Sequence, residues 1–198
     1  HLACGDEAGS AMNEKQLARF RTALAMLPPA PASLAASGGA FLDKSYRFDL
    51  VRPGVGLYGG AAQEGGKPMK TVAVATARVL QLRRIDKGES VGYAATFRAK
   101  RPSMIATVAL GYAGGIPRSL SGKGVAYIAG VRANFVGRVS MDMTALDVTG
   151  LAGVKVGDEV EFLGDHVMLE EVAALAGTNA YEILTGLRMP RHYTEAAA

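Results

Sequence analysis

The chain has 198 residues, 49% of them hydrophobic, so it is long enough to bury the core of one domain or of two small ones. Its formal charge is +4, and the 22 basic residues are interspersed with 18 acidic ones, which argues against a nucleic-acid-binding surface. The single cysteine, Cys4, excludes an intrachain disulfide, and no apolar run approaches the length of a membrane span.

The first predicted element is an amphipathic helix. Its hydrophobic stripe recurs at helical spacing and consists of Leu17, Phe20, Leu24 and Leu27. Asn13 followed by Gln16 indicates a variant capping box at the start, and Pro28 ends the pattern. These signals predict one helix of about four turns.

The segment after this helix indicates alternating strand ends and turns. Residues 33–39 form a small-residue loop, residues 45–50 approach a strand end, and residues 51–60 form a glycine-rich strand-to-helix junction. A helix between short strand ends is typical of the α/β units of a barrel. The polar segment 63–68 follows, and we predict a domain boundary near Lys70, which separates residues 1–69 from residues 70–198.

The second half has the pattern of a β domain. Turn residues separate six predicted strands, at residues 71–82, 104–110, 124–128, 133–139, 143–148 and 159–163. Short strands at this spacing predict a barrel or a sandwich. Two helices follow, at 169–176 with Gly177 as C-cap and at 180–187 with Asn179 as N-cap.

Two groups of residues indicate a functional site. The glycines after Arg52 and Pro53 free backbone N–H groups at the start of a predicted helix, where an anion such as a phosphate is stabilised. Taken alone, this pattern also fits an ordinary tight turn. Tyrosines and arginines beside glycines indicate a proton-transfer site with anion-binding groups, and these are Tyr93, Tyr112, Arg118 and Arg138.

Five segments carry a family resemblance. In chain order they are HLACGDE at residues 1–7, VRPGVGLYG at 51–59, VGY at 91–93, GYAGGIPR at 111–118 and GRVSMDM at 137–143. Together they resemble alanine racemases, the fold-type III pyridoxal-phosphate enzymes. The resemblance implies the C-terminal half of such an enzyme, with the last part of a TIM-like (β/α) barrel in residues 1–69 and a mainly β C-terminal domain in residues 70–198.

The resemblance also implies a cofactor site for pyridoxal 5'-phosphate. Ser37, Tyr181 and the backbone N–H groups of Gly54 and Val55 match the residues that hold the phosphate, and Arg52 matches the arginine at the pyridine nitrogen. An arginine keeps its own proton and leaves that nitrogen largely neutral, which makes the ring a weaker electron sink. A weaker sink suits racemisation because it limits side reactions.

Racemisation needs a base on each face of the substrate α-carbon. In the resembling family the bases are a lysine bound to the cofactor and a tyrosine from the partner subunit, which Tyr93 matches. His1 is implied to lie between Tyr93 and Arg52 in a hydrogen-bond chain. No lysine here has the family's context, since Lys15 lies within the helix pattern, so we expect this chain alone to be inactive.

The substrate path is implied in the same way. Residues that match the narrow polar entryway of racemases are Asp6, Tyr112, Arg118 and Arg138. Met141 matches a position whose backbone N–H binds the substrate carboxylate. Because Tyr93, Tyr112 and Met141 serve the neighbouring subunit in the family, the resemblance implies a homodimer. Two positions depart from the family pattern, with Ala36 in place of asparagine and Gly114 in place of aspartate.

The resemblance implies interconversion of L-alanine and D-alanine in the bacterial cytoplasm, where D-alanine supplies peptidoglycan synthesis. We expect no metal site, since His166 and His192 have no ligand cluster in the sequence. The start at His1 leads us to expect a piece of a longer protein. Two alternatives stay open, which are a broad-specificity amino-acid racemase and a catalytically silent binding or dimerisation module.

Overall fold

A computed structural model describes residues 1–67 and 69–195, so Pro68 of the polar segment lies outside the described residues. The chain divides into two compact units, residues 1–72 and residues 73–198. The sequence places the boundary after residue 69. Among the described residues, no helix is both long enough and apolar enough to cross a membrane.

Residues 1–72 form a helical unit. Helix α1 spans Ala11–Ala25, the short helix α2 spans Ser37–Ala40, and two 3-10 helices span Lys44–Tyr46 and Val55–Tyr58. Of the predicted α1 stripe, Leu17 is buried in a small core with Leu2, Leu34 and Tyr46, and Phe20 packs against that core. Leu27 lies beyond the end of the helix and is 62% exposed, so the stripe is shorter than predicted. The rings of Phe20 and Phe48 meet edge to face beside it, with centroids 5.0 Å apart.

The predicted capping box of α1 is wrong. The N-cap is Ser10, whose side chain makes no cap hydrogen bond, and Asn13 lies inside the helix and is buried. Asn13 and Gln16 instead bind the N-terminal segment. Asn13 donates to the carbonyl oxygen of Glu7, and the Gln16 carboxamide bonds the backbone of His1 and Ala3. Asn13 and Gln16 therefore bond to the N-terminal segment, although their spacing in the sequence predicted a helix cap.

The strand ends predicted before residue 60 are also largely wrong. Lys44–Tyr46 is a 3-10 helix capped by Asp43, and only an isolated parallel bridge between Ala36 and Arg52 is sheet-like in the described part of residues 1–72. A parallel ladder needs successive residues of two extended strands to pair, and the described residues of this unit pair at this one bridge. The described residues of this unit form four helical elements and that bridge, and the place of residues 1–69 in a TIM-like barrel stays a prediction.

Residues 73–198 contain a closed antiparallel barrel. Its strands are β1 (Ala75–Ile85), β4 (Ser103–Val108), β5 (Val125–Ile128), β6 (Val131–Phe135), β7 (Thr144–Asp147) and β8 (Glu159–Leu163). Their order around the barrel is β1, β4, β7, β6, β5, β8, and β8 pairs with β1 to close it. Because β8 pairs with β1, each strand of the barrel has a neighbour on both sides, and the barrel has no exposed edge strand.

Alternation of buried and exposed side chains builds the barrel core. Along β5 and β7 every second side chain is buried, as a sheet with one apolar face requires. Leu146 and Val160 have no exposed surface, and the rings of Phe135 and Phe162 lie 5.6 Å apart inside the barrel. The mainly β domain predicted from the sequence is confirmed, and of the two architectures it left open the barrel is the one present.

The elements around the barrel carry the remaining candidate residues. A separate hairpin, which the sequence pattern did not predict, pairs β2 (Ser90–Val91) with β3 (Phe97–Arg98). Helices α3 (Leu169–Ala176) and α4 (Ala180–Gly186) follow β8. Their predicted caps are confirmed, because Gly177 has a φ of 77° and the Asn179 side chain accepts a hydrogen bond from the Glu182 N–H.

Candidate functional site

Arg52 is held at several points within residues 1–72. Its backbone N–H donates to the carbonyl oxygen of Ala35 at 2.9 Å. Its guanidinium donates to the Ser33 hydroxyl and, at 3.4 Å, to the carbonyl oxygen of Leu34. The imidazole Nδ1 of His1 also lies 3.4 Å from the guanidinium. The structure thus brings His1 and Arg52 together and fixes the direction of the planar cation.

Ser37 organises the glycine-rich loop that follows Arg52. Its hydroxyl oxygen is buried and accepts the N–H groups of Gly54 at 2.7 Å and Gly56 at 3.3 Å. The Gly54 N–H predicted for a phosphate therefore already bonds within the chain. A Cβ at Gly54 would meet no atom within 4 Å, so open space lies beside this loop. Val55 begins the 3-10 helix, and its side chain is buried.

In residues 73–198, Tyr93 and Arg138 line one surface groove of about 430 Å³ together with Ser140. Tyr93 follows β2, and 70% of its surface is exposed. Its position depends on a close backbone contact, because a Cβ on Gly137 would lie 2.6 Å from the carbonyl oxygen of Val91. Only glycine fits there, and it fits at a φ of 71°.

A second backbone contact joins the Tyr112 loop to the turn that carries Met141. The Tyr112 N–H donates to the Ser140 carbonyl oxygen at 3.0 Å, and the Ala113 N–H donates to that of Met141 at 2.9 Å. Met141 is 54% exposed and Tyr112 is 42% exposed, so both side chains are accessible. The structure therefore brings the two predicted positions into one local arrangement.

The other predicted residues lie on separate elements. Arg118 begins a 3-10 helix, and Tyr181 is the second residue of α4, with 51% of its surface exposed. Asp6 is exposed in the other unit, where its carbonyl oxygen accepts the Glu64 N–H at 2.9 Å. The candidate residues thus form two groups, His1, Asp6, Ser37, Arg52, Gly54 and Val55 in residues 1–72, and Tyr93, Tyr112, Arg118, Arg138, Met141 and Tyr181 in residues 73–198.

Three supporting residues were missed. Ser33 accepts from Arg52, Thr144 is buried and donates to the Leu110 carbonyl oxygen, and Ser121 joins the two arginine segments. The Ser121 hydroxyl donates to the Arg118 carbonyl oxygen at 2.6 Å and accepts the N–H that follows Arg138 at 3.0 Å. Ser33 and Ser121 are single hydroxyl residues outside helices and strands, and Thr144 begins β7, so no periodicity or spacing in the sequence marks their bonding roles.

Within the described residues, no group of three or more His, Cys, Asp and Glu side chains is placed to hold a metal ion. His166 instead contacts two side chains of the barrel domain. Its ring stacks on Tyr127 with centroids 3.8 Å apart, and its Nδ1 lies 3.0 Å from a carboxylate oxygen of Glu161.

Comparison with known proteins identifies relatives of the chain. The family model described as "Alanine racemase, N-terminal domain" matches residues 1–62, and the one described as "Alanine racemase, C-terminal domain" matches residues 72–193. The alanine racemase of Brucella abortus (strain 2308) is 49% identical over 94% of this chain and 51% of its own length. That of Rhizobium meliloti (strain 1021) is 46% identical over 98% of this chain and 55% of its own length.

Solved structures give the same result. The crystal structure of alanine racemase from Bartonella henselae, with covalently bound pyridoxal phosphate, matches with a TM-score of 0.89 at 46% identity, over 94% of this chain and 53% of that one. Biosynthetic alanine racemase from Pseudomonas aeruginosa matches with a TM-score of 0.90 at 38% identity, over 98% of this chain and 56% of that one. The chain therefore spans about half the length of the relatives it matches.

Proposed function

The chain belongs to the alanine racemase family, and on that premise we propose that it is the C-terminal half of an enzyme that interconverts L-alanine and D-alanine with pyridoxal 5'-phosphate. The observation that carries the proposal is that the glycine-rich loop, which has open space beside it, follows an Arg52 held by Ser33 and is bonded to the buried hydroxyl of Ser37. In this proposal residues 1–69 complete a (β/α) barrel begun upstream, and residues 70–198 form the second domain.

The residues present fit the cofactor. A phosphate needs donors and space, and the loop supplies both, since a Cβ on Gly54 would enter empty space. The Ser37 oxygen accepts two N–H groups, which leaves its own proton to donate to a phosphate oxygen. The N–H of Val55 and the hydroxyl of Tyr181 complete the set of phosphate donors, and Gly54 contributes by holding Ser37 and by lacking a side chain.

Arg52 is assigned to the pyridine nitrogen. Its contacts with Ser33 and Leu34 hold the guanidinium in one plane, and its permanent charge keeps the proton on the arginine. When bound, pyridoxal phosphate withdraws electrons from the substrate α-carbon and makes its proton removable. His1, whose Nδ1 lies 3.4 Å from the Arg52 guanidinium, connects Arg52 to the tyrosine base through hydrogen bonds.

Tyr93 is assigned as one of the two bases. A phenolic oxygen reaches a substrate only if its side chain is accessible, and Tyr93 is 70% exposed at the rim of a groove. The base on the opposite face is a lysine, which the family carries in the part of the enzyme that this chain does not span. Tyr93 serves the partner subunit's site, so the active form is a homodimer.

The substrate residues follow from the same assignment. The backbone N–H of Met141 binds the carboxylate of alanine, and Asp6, Tyr112, Arg118 and Arg138 line the path to the site. The exposed arginines attract the carboxylate of a small zwitterion. We assign the enzyme to the bacterial cytoplasm, where it supplies D-alanine for peptidoglycan.

The test is a racemisation assay on the full-length protein. Purified protein with pyridoxal phosphate is given L-alanine, and optical rotation is followed until it reaches zero. Parallel assays use L-lysine, L-arginine and L-serine, because a broad-specificity racemase converts these as well. The proposal predicts conversion of alanine far above the other three. Absence of conversion of every amino acid, together with no binding of pyridoxal phosphate, would assign the chain to a silent module.

A further inference from the structure

The hairpin that carries Tyr93 crosses a second backbone segment at two glycines, Gly92 and Gly137. Gly92, the residue directly before Tyr93, has φ 78° and ψ 177°, a conformation that is essentially restricted to glycine. A Cβ on Gly92 would lie 3.1 Å from the backbone nitrogen of Arg138 and 3.5 Å from the Cα of Gly137. Because Gly137 in turn lies against the Val91 carbonyl group, backbone packs directly on backbone, with no side chain between that could adjust.

The segment of residues 137–141 is held in place independently of the hairpin. The Val139 side chain is buried, and its N–H donates to the Ser121 hydroxyl at 3.0 Å. The N–H and the hydroxyl of Ser140 both donate to the carbonyl oxygen of Met143, at 3.0 Å and 2.8 Å. These bonds fix the backbone N–H at the end of the segment, which is the one assigned to the substrate carboxylate.

The hairpin itself has fewer attachments. Its strands pair at two positions, Ser90 with Arg98 and Val91 with Phe97. Val91 and Phe97 pack against a small core on the barrel, whose buried members are Ile85, Ala99, Ile105 and Val136. An added side chain at the crossing is therefore expected to displace the short hairpin, and Tyr93 with it, before it displaces residues 137–141.

We propose that Gly92 and Gly137 are positioning residues, and that their crossing sets the place of the Tyr93 phenol relative to the Met141 backbone N–H. This inference rests on the proposed function, in which Tyr93 and Met141 of one chain both serve the partner subunit's site. One alanine molecule there must meet both groups, since its carboxylate binds the N–H while its α-carbon faces the phenolic oxygen. A contact within one chain therefore determines how the two groups meet the same substrate.

The size of the effect follows from the contact at Gly137. A Cβ at 2.6 Å from the Val91 carbonyl oxygen needs about 0.8 Å more to reach an ordinary contact of 3.4 Å, and Val91 lies two residues before Tyr93. Misplacement of a catalytic group by about 1 Å costs on the order of 100-fold in rate. In the full-length protein, Gly137→Ala is therefore expected to lower kcat for racemisation by about 10- to 100-fold. The affinity for pyridoxal phosphate should stay within about twofold, because the residues assigned to the phosphate lie on other elements.

Exchange of the α-hydrogen in heavy water separates displacement of Tyr93 from a general loss of activity. Each enantiomer of alanine loses its α-hydrogen to the base on its own face. Gly137→Ala is expected to slow exchange of the enantiomer that Tyr93 deprotonates by about 10- to 100-fold. Exchange of the other enantiomer, which the lysine deprotonates, should stay within about twofold of wild type. An equal loss for both enantiomers would overturn the proposal.

Gly130→Ala is the matched control for Gly137→Ala. Gly130 has a φ of 82° in the turn between β5 and β6, and a Cβ there would meet nothing within 4 Å. Both substitutions carry the strain of a positive φ, and only the one at Gly137 also pushes on the hairpin. Gly130→Ala is expected to keep the exchange rates of both enantiomers within about twofold of wild type. Equal behaviour of the two variants would overturn the proposal.

A double-mutant cycle with Tyr93→Phe tests whether Gly137 acts through the Tyr93 phenol. The readout is the rate of racemisation in the four full-length proteins. If the crossing positions the phenol, adding Gly137→Ala to Tyr93→Phe lowers the rate by much less than Gly137→Ala does alone. Full additivity of the two effects would show that Gly137 acts independently of the phenol and would overturn the proposal.

A second variant covers the case in which Gly137→Ala does not fold. Gly92→Ala places its Cβ 3.1 Å from the Arg138 nitrogen, so the hairpin has to give by only a few tenths of an ångström. This variant is expected to unfold cooperatively in urea and to show the same enantiomer-selective loss at a smaller size, about 3- to 10-fold. Loss of folding in both variants assigns the crossing to stability alone and overturns the proposal. A wild-type protein that neither binds pyridoxal phosphate nor racemises alanine refutes the proposed function instead.

Discussion

Ser37→Ala is expected to lower both the stability of the apoprotein and its affinity for pyridoxal phosphate. The hydroxyl of Ser37 is 1% exposed and accepts two backbone N–H groups, from Gly54 and Gly56. In the proposed function it also donates to the cofactor phosphate. The alanine variant therefore removes an acceptor from the apoprotein and a donor from the complex, and the two effects are measured separately.

The magnitudes follow from these contacts. Leaving a buried donor without a partner costs about 1–3 kcal/mol, and because both glycines are half-buried, water replaces part of the loss. We expect the free energy of unfolding of the apoprotein to fall by about 1–2 kcal/mol. A hydrogen bond to a charged group contributes about 1.5–3 kcal/mol, so the dissociation constant for pyridoxal phosphate should rise by about 10- to 100-fold.

The assays are urea unfolding of the full-length apoprotein and titration with pyridoxal phosphate. Ser10→Ala is the matched control, since Ser10 is the N-cap of α1 and its side chain makes no cap hydrogen bond. Both quantities should stay near wild type in the control. A Ser37→Ala protein that binds pyridoxal phosphate as tightly as wild type would refute the assignment of Ser37 to the phosphate.

Three further predictions concern stability. Asn179→Ala removes the cap that accepts the Glu182 N–H at the start of α4 and should cost about 1 kcal/mol in urea unfolding. Leu146→Ala empties a fully buried site in the barrel and should cost about 2–5 kcal/mol. Hydrogen bonds from Ser45, the backbone N–H first, lower the pKa of Asp43. That carboxylate therefore stabilises the fold above its unfolded pKa, and the contribution is lost as pH falls through the lower folded pKa. Asp43→Asn should remove that part of the acid dependence of unfolding.

Each of these predictions has its own control or check. Met168→Ala changes the N-cap of α3, whose side chain makes no cap hydrogen bond, and should leave stability near wild type. Leu80→Ala changes a side chain that is 51% exposed and should cost far less than the change at Leu146. For Asp43, an NMR titration of its carboxyl carbon should give a pKa below the ordinary value, and an ordinary or raised pKa would contradict the reasoning.

The barrel and the final helices were predictable because their information is local. Each predicted strand overlaps an observed one, since alternating apolar residues between turn residues identify a strand without reference to its partners. Gly177 and Asn179 mark helix ends through their own backbone and side-chain preferences. The strand order and the closure between β1 and β8 depend on long-range pairing, for which the pattern holds no signal.

The predictions that failed concern residues whose roles depend on contacts between segments far apart in the chain. Asn13 and Gln16 have the spacing of a cap, but contacts with the N-terminal segment determine their role. In the candidate site, the glycine-rich loop and the family segments were visible in the sequence. The Ser37 hydrogen bonds to that loop and the approach of Gly137 to Val91 were not, because both depend on backbone distances between segments far apart in the chain.

The central claim is tested most directly by exchange of the α-hydrogen of alanine in heavy water, measured by NMR for each enantiomer with the full-length protein. The wild type should exchange and invert both enantiomers. Tyr93→Phe removes one of two bases, and general-base catalysis contributes about 10²- to 10⁴-fold. The account predicts that this variant exchanges one enantiomer without inversion and leaves the other almost unexchanged. A Tyr93→Phe protein that exchanges and inverts both enantiomers at the wild-type rate would contradict it.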